Sequence, residues 1–184
     1  MSRGKPGIGA LVVLAIGLVV LLTSGEGDDG DRSRRGSANA TPTQPRLAEP
    51  VRATVTRVID GDTVEVSLPG GATEDVRYIG IDTPESVAPG QPVECYGRRA
   101  SRLNERLVEG REVRLTFGAE RRDRYGRLLA YVHAGPLFVN AEMVRRGVAR
   151  TLEIAPNTDH AAQLDRLARR AGSTGRGLWG ACGT

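Results

Sequence analysis

At 184 residues with ten prolines and 24 glycines, the chain has room for one globular domain and a further part that is not globular. All but one of the 26 basic residues are arginine, yet from residue 51 onward 20 arginines meet 17 acidic residues, so the net charge of +4 is compatible with a polyanionic partner without selecting one. The two cysteines come without any CxxC or HxxH pattern, which argues against a thiolate or histidine metal centre.

The N-terminus is read first. After Arg3 and Lys5, residues 7–23, "GIGALVVLAIGLVVLLT", carry no charge and no strong hydrogen-bonding side chain before Thr23. Seventeen such residues are long for the apolar core of a signal peptide and short for a bilayer span, so residues 1–24 are read as either a retained signal anchor or a cleaved signal peptide. Basic residues ahead of the run place the rest of the chain outside the cytoplasm, anchored to the membrane and facing outward in the first case and secreted in the second. Residues 25–50 mix Gly, Ser, Asp, Arg and Pro and are read as a disordered linker, which leaves 51–184 as the folded domain. In that exported setting Cys95 and Cys182 are expected to form a disulfide, with two buried or free thiols as the other reading.

Within the domain, polar and apolar residues alternate over 51–60 and again over 62–68, joined by the tight-turn signal Asp60-Gly61. A third strand is expected over 76–81, and an amphipathic helix over 96–110, where Ala100, Leu103, Leu107 and Val108 share one face. Strands over 111–117 and 128–134 flank the polar loop "GAERRDRYGR", and helices follow over 137–147 and 159–172. The fold class expected is α+β and rich in strand: a five-stranded barrel of the oligonucleotide-binding (OB) kind with three packed helices.

Two stretches carry chemistry. In "IDGDTV" a hairpin turn accounts for Asp60 but not for Asp62 just beyond it. In "VRYIGIDTPE" the spacing of Asp82 and Glu85 suits a helix cap, but "SVAPGQPV" follows and its prolines break any helix within a turn. A third strand beside the first hairpin would bring Asp62, Asp82 and Glu85 together, and three carboxylates need a cation or protons. An all-oxygen set without Cys or His selects a hard ion such as Ca²⁺. Guanidinium forks suit phosphate oxygens; Arg77 lies in the second stretch, and the loop "DRYGR" adds Arg124, Tyr125 and Arg127 on a tight glycine turn. Strict alternation puts Arg77 on the strand face opposite Asp82, so a bulge or twist near the strand end is expected if the two meet. His133 and His160 lie on a strand and a helix away from the cluster and are read as structural.

Taken together and in order, "VIDGDTV", "VRYIGIDTPES", "YGRRAS", "DRYGRLLAYV" and "VNAEMVRRGVA" resemble the thermonuclease family typified by staphylococcal nuclease. The resemblance implies an exported enzyme that hydrolyses phosphodiester bonds of DNA or RNA with Ca²⁺ and leaves 3′-phosphate products. It implies Asp62, Asp82 and the Thr83 carbonyl as metal ligands, and Asp60 as the residue ordering water around the metal. Glu85 would be the general base, Arg77 and Arg127 the pair gripping the scissile phosphate, and Arg124 and Tyr125 substrate contacts. Where the family's type member has two tyrosines ahead of the segment matching "APNT", this chain has Leu152 and Ile154, so weaker or differently arranged base stacking is expected. The other reading is a catalytically silent nucleic-acid-binding barrel. Nothing in the sequence demands more than a monomer.

Overall fold

The computed structural model describes residues 49–87, 90 and 92–182. The apolar run at 7–23 and the linker as far as residue 48 lie outside the described residues. Among the described residues no helix is long and apolar enough to cross a membrane.

Strands β1 (Val51–Val58), β2 (Thr63–Ser67) and β3 (Thr73–Tyr78) form an antiparallel meander. Strand β5 (Glu112–Arg122) pairs with the outer edge of β1, and β6 (Leu128–Ala134) pairs with β5. Parallel pairing of β3 with β6, Val76 opposite Leu128 and Arg77 opposite Leu129, closes the five strands into a barrel and leaves no free edge between them. A short β4 (Gly80–Asp82) breaks away to pair with β8 (Arg150–Leu152), and β7 (Leu137–Phe138) extends β6 into a small hairpin.

The barrel interior follows from the alternation. Val55, Val64, Val66, Val76, Val113, Leu115, Ala130 and Val132 are all buried, each large side chain contributing roughly 1.5–3 kcal/mol by leaving water. Helix α1 (Gly97–Val108) packs Ala100, Leu103 and Val108 against this core. Helix α2 (Val139–Arg145) adds Met143 and Val144, and α3 (Ala161–Ser173) adds Leu164. A single turn, α4 (Leu178–Ala181), leads to Cys182, which is bonded to Cys95 with the two Cα atoms 5.9 Å apart.

Two local expectations are corrected. The connection at Asp60-Gly61 is not a two-residue turn: β1 ends at Val58 and β2 begins at Thr63, with the Ile59 and Asp60 N–H groups both directed at the Thr63 carbonyl. Nor is 118–127 a loop throughout, because β5 runs on to Arg122. Its polar extension is held from a distance: Arg122 forks onto Glu74 at 2.8 Å, and Asn157 caps the strand through Glu120.

Candidate active site

The loop between β1 and β2 presents the first carboxylates. The Asp62 N–H donates to Asp60 Oδ1 (2.9 Å), an Asx turn that fixes the loop, and the Tyr78 N–H donates to the Asp62 carbonyl (2.9 Å). Asn104, fully buried on α1, accepts from the Tyr78 hydroxyl (3.0 Å) and donates to the Asp60 carbonyl (3.1 Å), tying helix, strand and loop into one unit. Burial pushes the Asp60 carboxyl above its ordinary range against the attraction of Arg77, and the negative charge of Glu85 adds to the rise. Asp62 itself is buried and accepts both the backbone N–H (2.7 Å) and the hydroxyl (3.0 Å) of Thr83 at Oδ2.

Arg77 is where strand parity and site chemistry disagreed, and the backbone resolves it. The strand does not run unbroken from 76 to 81: Gly80 has φ of +79°, a left-handed conformation that side-chain-bearing residues rarely adopt, and the chain restarts there as β4. The break turns Asp82 to the same side as Arg77. The Arg77 guanidinium forms an ion pair with Asp62 and donates to Asp82 Oδ1 (2.8 Å) and the Ile81 carbonyl (3.3 Å). Burial pulls Arg77 below its ordinary basicity, while Asp82 and Asp60 raise it. Arg77 thus sets positive charge against the carboxylates at both 62 and 82. Among the described residues no group of three or more His, Cys, Asp or Glu side chains is gathered closely enough to hold a metal ion.

Glu85 lies beside this cluster rather than in it. Its carboxylate Oε1 accepts the N–H groups of Ser86 and Val87, both at 2.7 Å, and its own N–H donates to Glu94 Oε2 (3.0 Å). The Glu94 N–H returns a bond to the Glu85 carbonyl (2.9 Å), one residue before the disulfide at Cys95. Gly97 at the start of α1 permits the approach, since a Cβ there would stand 2.4 Å from the Glu85 carbonyl oxygen.

Closure of the barrel brings Arg127 to Arg77. Immediately before β6, the hairpin "DRYGR" folds back so that Asp123 Oδ2 accepts from Arg127 Nε (2.8 Å), while Asp123 Oδ1 accepts the N–H groups of Tyr125 and Arg127. These bonds hold the Asp123 carboxyl below its usual range although burial works the other way. Arg77, Arg124, Tyr125 and Arg127 line one cavity of about 540 Å³, with Leu152 and Ile154 on its rim. Tyr125 is 67% exposed at the hairpin tip, with the guanidinium of Arg124 4.7 Å from its ring centre. His133 and His160 pack face or edge against Phe138 and Tyr131, away from the cavity.

The family model described as "Staphylococcal nuclease homologue" matches residues 75–181, and the thermonuclease of Staphylococcus hyicus is 32% identical over 169 residues, 92% of this chain and 95% of its own length. The chain belongs to the staphylococcal nuclease homologue family. A second thermonuclease, from Staphylococcus intermedius, is 34% identical with the same coverage of both chains. Endonuclease YncB of Bacillus subtilis is 37% identical over 145 residues, 78% of this chain and 68% of its own.

Three positioning residues were not found in the sequence. Asn104 offered no signal, being one polar residue in an amphipathic helix. Glu94 lies in a stretch without periodicity. Asp123 could have been found, because an aspartate ahead of a glycine turn is the usual acceptor for the turn's own N–H groups.

Proposed function

We propose that this chain is an exported Ca²⁺-dependent nuclease that hydrolyses phosphodiester bonds of DNA, RNA or both. The observation that carries the proposal is the pairing of Arg77 and Arg127 on one cavity, with the carboxylates of Asp62 and Asp82 immediately behind Arg77. Kinship with thermonucleases and an endonuclease supports the same reading.

Without a third carboxylate in the group, the residues present still suit a hard divalent ion by the chemistry of their donors. They offer only oxygen, and positive charge is already held at these oxygens by Arg77. Asp62, Asp82 and the Thr83 carbonyl would hold the ion, with Asp60 ordering water beside it. Bound Ca²⁺ would supply neutralisation of phosphate charge. Arg77 would then exchange its carboxylate bridge for phosphate oxygens, a role its bidentate fork fits. Glu85, anchored through Glu94, takes the proton of the water whose oxygen attacks phosphorus in line. Arg127, steadied by Asp123, stabilises charge on the phosphoryl oxygens as the bond to the 5′-oxygen breaks and that oxygen takes a proton from solvent, leaving a 3′-phosphate and a 5′-hydroxyl. Arg124 and Tyr125 contact the flanking nucleotides from the hairpin tip.

Export rests on the apolar run at 7–23 behind Arg3 and Lys5, and the domain acts as a monomer, membrane-anchored or secreted. The test is digestion of single-stranded DNA by wild type and Glu85→Gln, each with Ca²⁺ and with chelator. Wild type with Ca²⁺ should be active, and Gln should lower the rate by about 10²-fold or more. Equal rates in all four conditions would remove the metal and base assignments, and binding without turnover, indifferent to the Gln substitution, would identify a silent binding module.

A further inference from the structure

Away from the cavity of Arg77 and Arg127, one face of α1 carries Arg98, Arg99, Arg102 and Arg106, all exposed. Among the described residues none of the four is paired with a carboxylate. Against them stand only Glu105 on α1 and Glu109 at its end, so the helix keeps an excess of guanidiniums over carboxylates, an arrangement that an anionic partner relieves.

These arginines border shallow, open depressions. One hollow, about 280 Å³, is bounded by Tyr96, Arg99, Arg102, Arg106 and, from the end of α2, Arg146. A neighbouring hollow of about 340 Å³ shares Tyr96, Arg99 and Arg102 with it and reaches Glu94. Glu94 also lines a third, about 270 Å³, which extends past Cys95 and Arg150 to Asp82. Asp82 is bonded to Arg77, so the hollows form a track from the candidate active site along α1. The carboxylates beside the track are Glu94, which accepts the Glu85 N–H and keeps its charge, Glu142, which pairs with Arg145 and Arg146, and the exposed Glu105 and Glu109 on and at the end of α1, fewer than the arginines that line it.

Tyr96 adds a second observation. It is the one non-glycine residue among those described with positive φ, +74°, a conformation that L residues rarely adopt. Held there, it places its hydroxyl to accept from Arg99 Nη1 (3.0 Å), with that guanidinium 4.9 Å from the ring centre. Tyr96 is partly buried against the core and its ring carries the Arg99 guanidinium, so it fixes that charge in the row of arginines that would follow the phosphates of a single strand. From Arg99 to Arg106 the helix rises about 10 Å, the length of about three phosphates in a stacked strand.

We propose that this track is a second phosphate-binding surface, holding the backbone of a single-stranded polynucleotide that extends beyond the candidate active site. The proposal rests on the nuclease reading for its substrate class. The test measures binding of the full chain, in chelator so that no turnover occurs, to fluorescent 30-nucleotide and 4-nucleotide oligothymidylates across a salt series. Two phosphate contacts on a single strand account for a slope of about 1.4 in log K against log salt, which is roughly 25-fold in affinity at 0.1 M. Arg102→Gln/Arg106→Gln should therefore bind the 30-mer roughly 25-fold more weakly with a slope shallower by about 1.4. It should leave the 4-mer unchanged, whereas Arg102→Lys/Arg106→Lys should retain most of the affinity.

Unchanged 30-mer binding would overturn the proposal. So would an equal loss from Arg166→Gln/Arg169→Gln on α3, which removes the same charge elsewhere. Loss of binding to phosphatidylglycerol vesicles with the 30-mer retained would assign the surface to lipid headgroups instead and overturn it too. Absence of cleavage by wild type with Ca²⁺ would sink the nuclease reading alone, because the binding comparison needs no turnover.

Discussion

Replacing Cys95 and Cys182 together by serine removes a cross-link between residues 87 apart in sequence. Closing a loop of that length restricts the unfolded chain by an entropy worth about 4.6 kcal/mol at 25 °C. Native interactions lost with the sulfur atoms are few, since Cys182 follows the single turn α4 and Cys95 lies in an exposed loop, so most of the effect is carried by the unfolded state. With a urea m-value of about 1.5–2 kcal/mol/M the midpoint should fall by about 2–3 M. The measurement is urea unfolding of wild type and double variant at equal pH, with wild type in reductant as a third arm that should match the variant. A fall under about 0.5 M would refute the chain-entropy reasoning. The site is touched as well, because Glu94, adjacent to Cys95, bonds to both the N–H and the carbonyl of Glu85. Nuclease rate measured well below the midpoint should drop in the variant, and an unchanged rate would show that Glu94 holds Glu85 without help from the disulfide.

Gly80→Ala forces a side chain into φ of +79° and sets its Cβ 2.6 Å from Leu164 Cδ1, for an expected loss of about 1–3 kcal/mol in urea unfolding. A loss below about 0.5 kcal/mol would show that the β3–β4 break tolerates an ordinary residue and is not what turns Asp82 toward Arg77. For pH, Glu142 is informative because hydrogen bonds from Arg145 first, and then Arg146, hold its carboxyl below the ordinary 4.5. A carboxylate depressed in the folded state stabilises fully above its unfolded value and loses that contribution as pH falls through its folded value. The gap in urea midpoint between wild type and Glu142→Gln should therefore be full-sized at pH 7 and shrink below pH 4.5, and a gap that widens on acidification would contradict the assignment.

Which parts of this molecule could be read from sequence depends on how far apart the interacting residues lie. The strands at 51–58 and 128–134 and the helix at 97–108 announce themselves because neighbours in sequence share one buried face. The end of β5 does not. Residues 118–122 are polar and mostly exposed, and their partners Glu74 and Asn157 lie 48 and 37 residues away. The motifs "DGDT" and "IDTPE" located the carboxylates, but strand parity alone put Arg77 on the wrong face. Only the left-handed backbone at Gly80 reverses it, and a glycine in a strand pattern signals a bulge without saying which way the chain turns. The tie between Glu94 and Glu85 had no periodic signal, and the extension to the arginine track appears only when α1 is laid beside the loop that ends at Cys95.

The two arginines of the candidate site are not equivalent, and the difference bears on how substitutions there should be interpreted. Arg77 is 15% exposed and joins two carboxylates, one of them the 4% exposed Asp62. Removing its charge leaves Asp62 buried without its cation, a change that destabilises strongly whatever it does to phosphate binding. Arg127 is 31% exposed, and its partner Asp123 keeps two backbone N–H donors when the guanidinium is gone. Each arginine therefore has its own carboxylate, and each carboxylate keeps donors of its own, the N–H and hydroxyl of Thr83 at Asp62 and two backbone N–H groups at Asp123, but Asp62 is the more deeply buried and loses more with its cation. Activity lost at Arg127 with stability retained reports on the phosphate, whereas activity lost at Arg77 mixes catalysis with the integrity of the carboxylate cluster. Rates of Arg77 variants acquire a mechanistic meaning only beside their unfolding curves, and Arg127 is the position at which the proposed contribution of a guanidinium to phosphodiester hydrolysis is tested without that ambiguity.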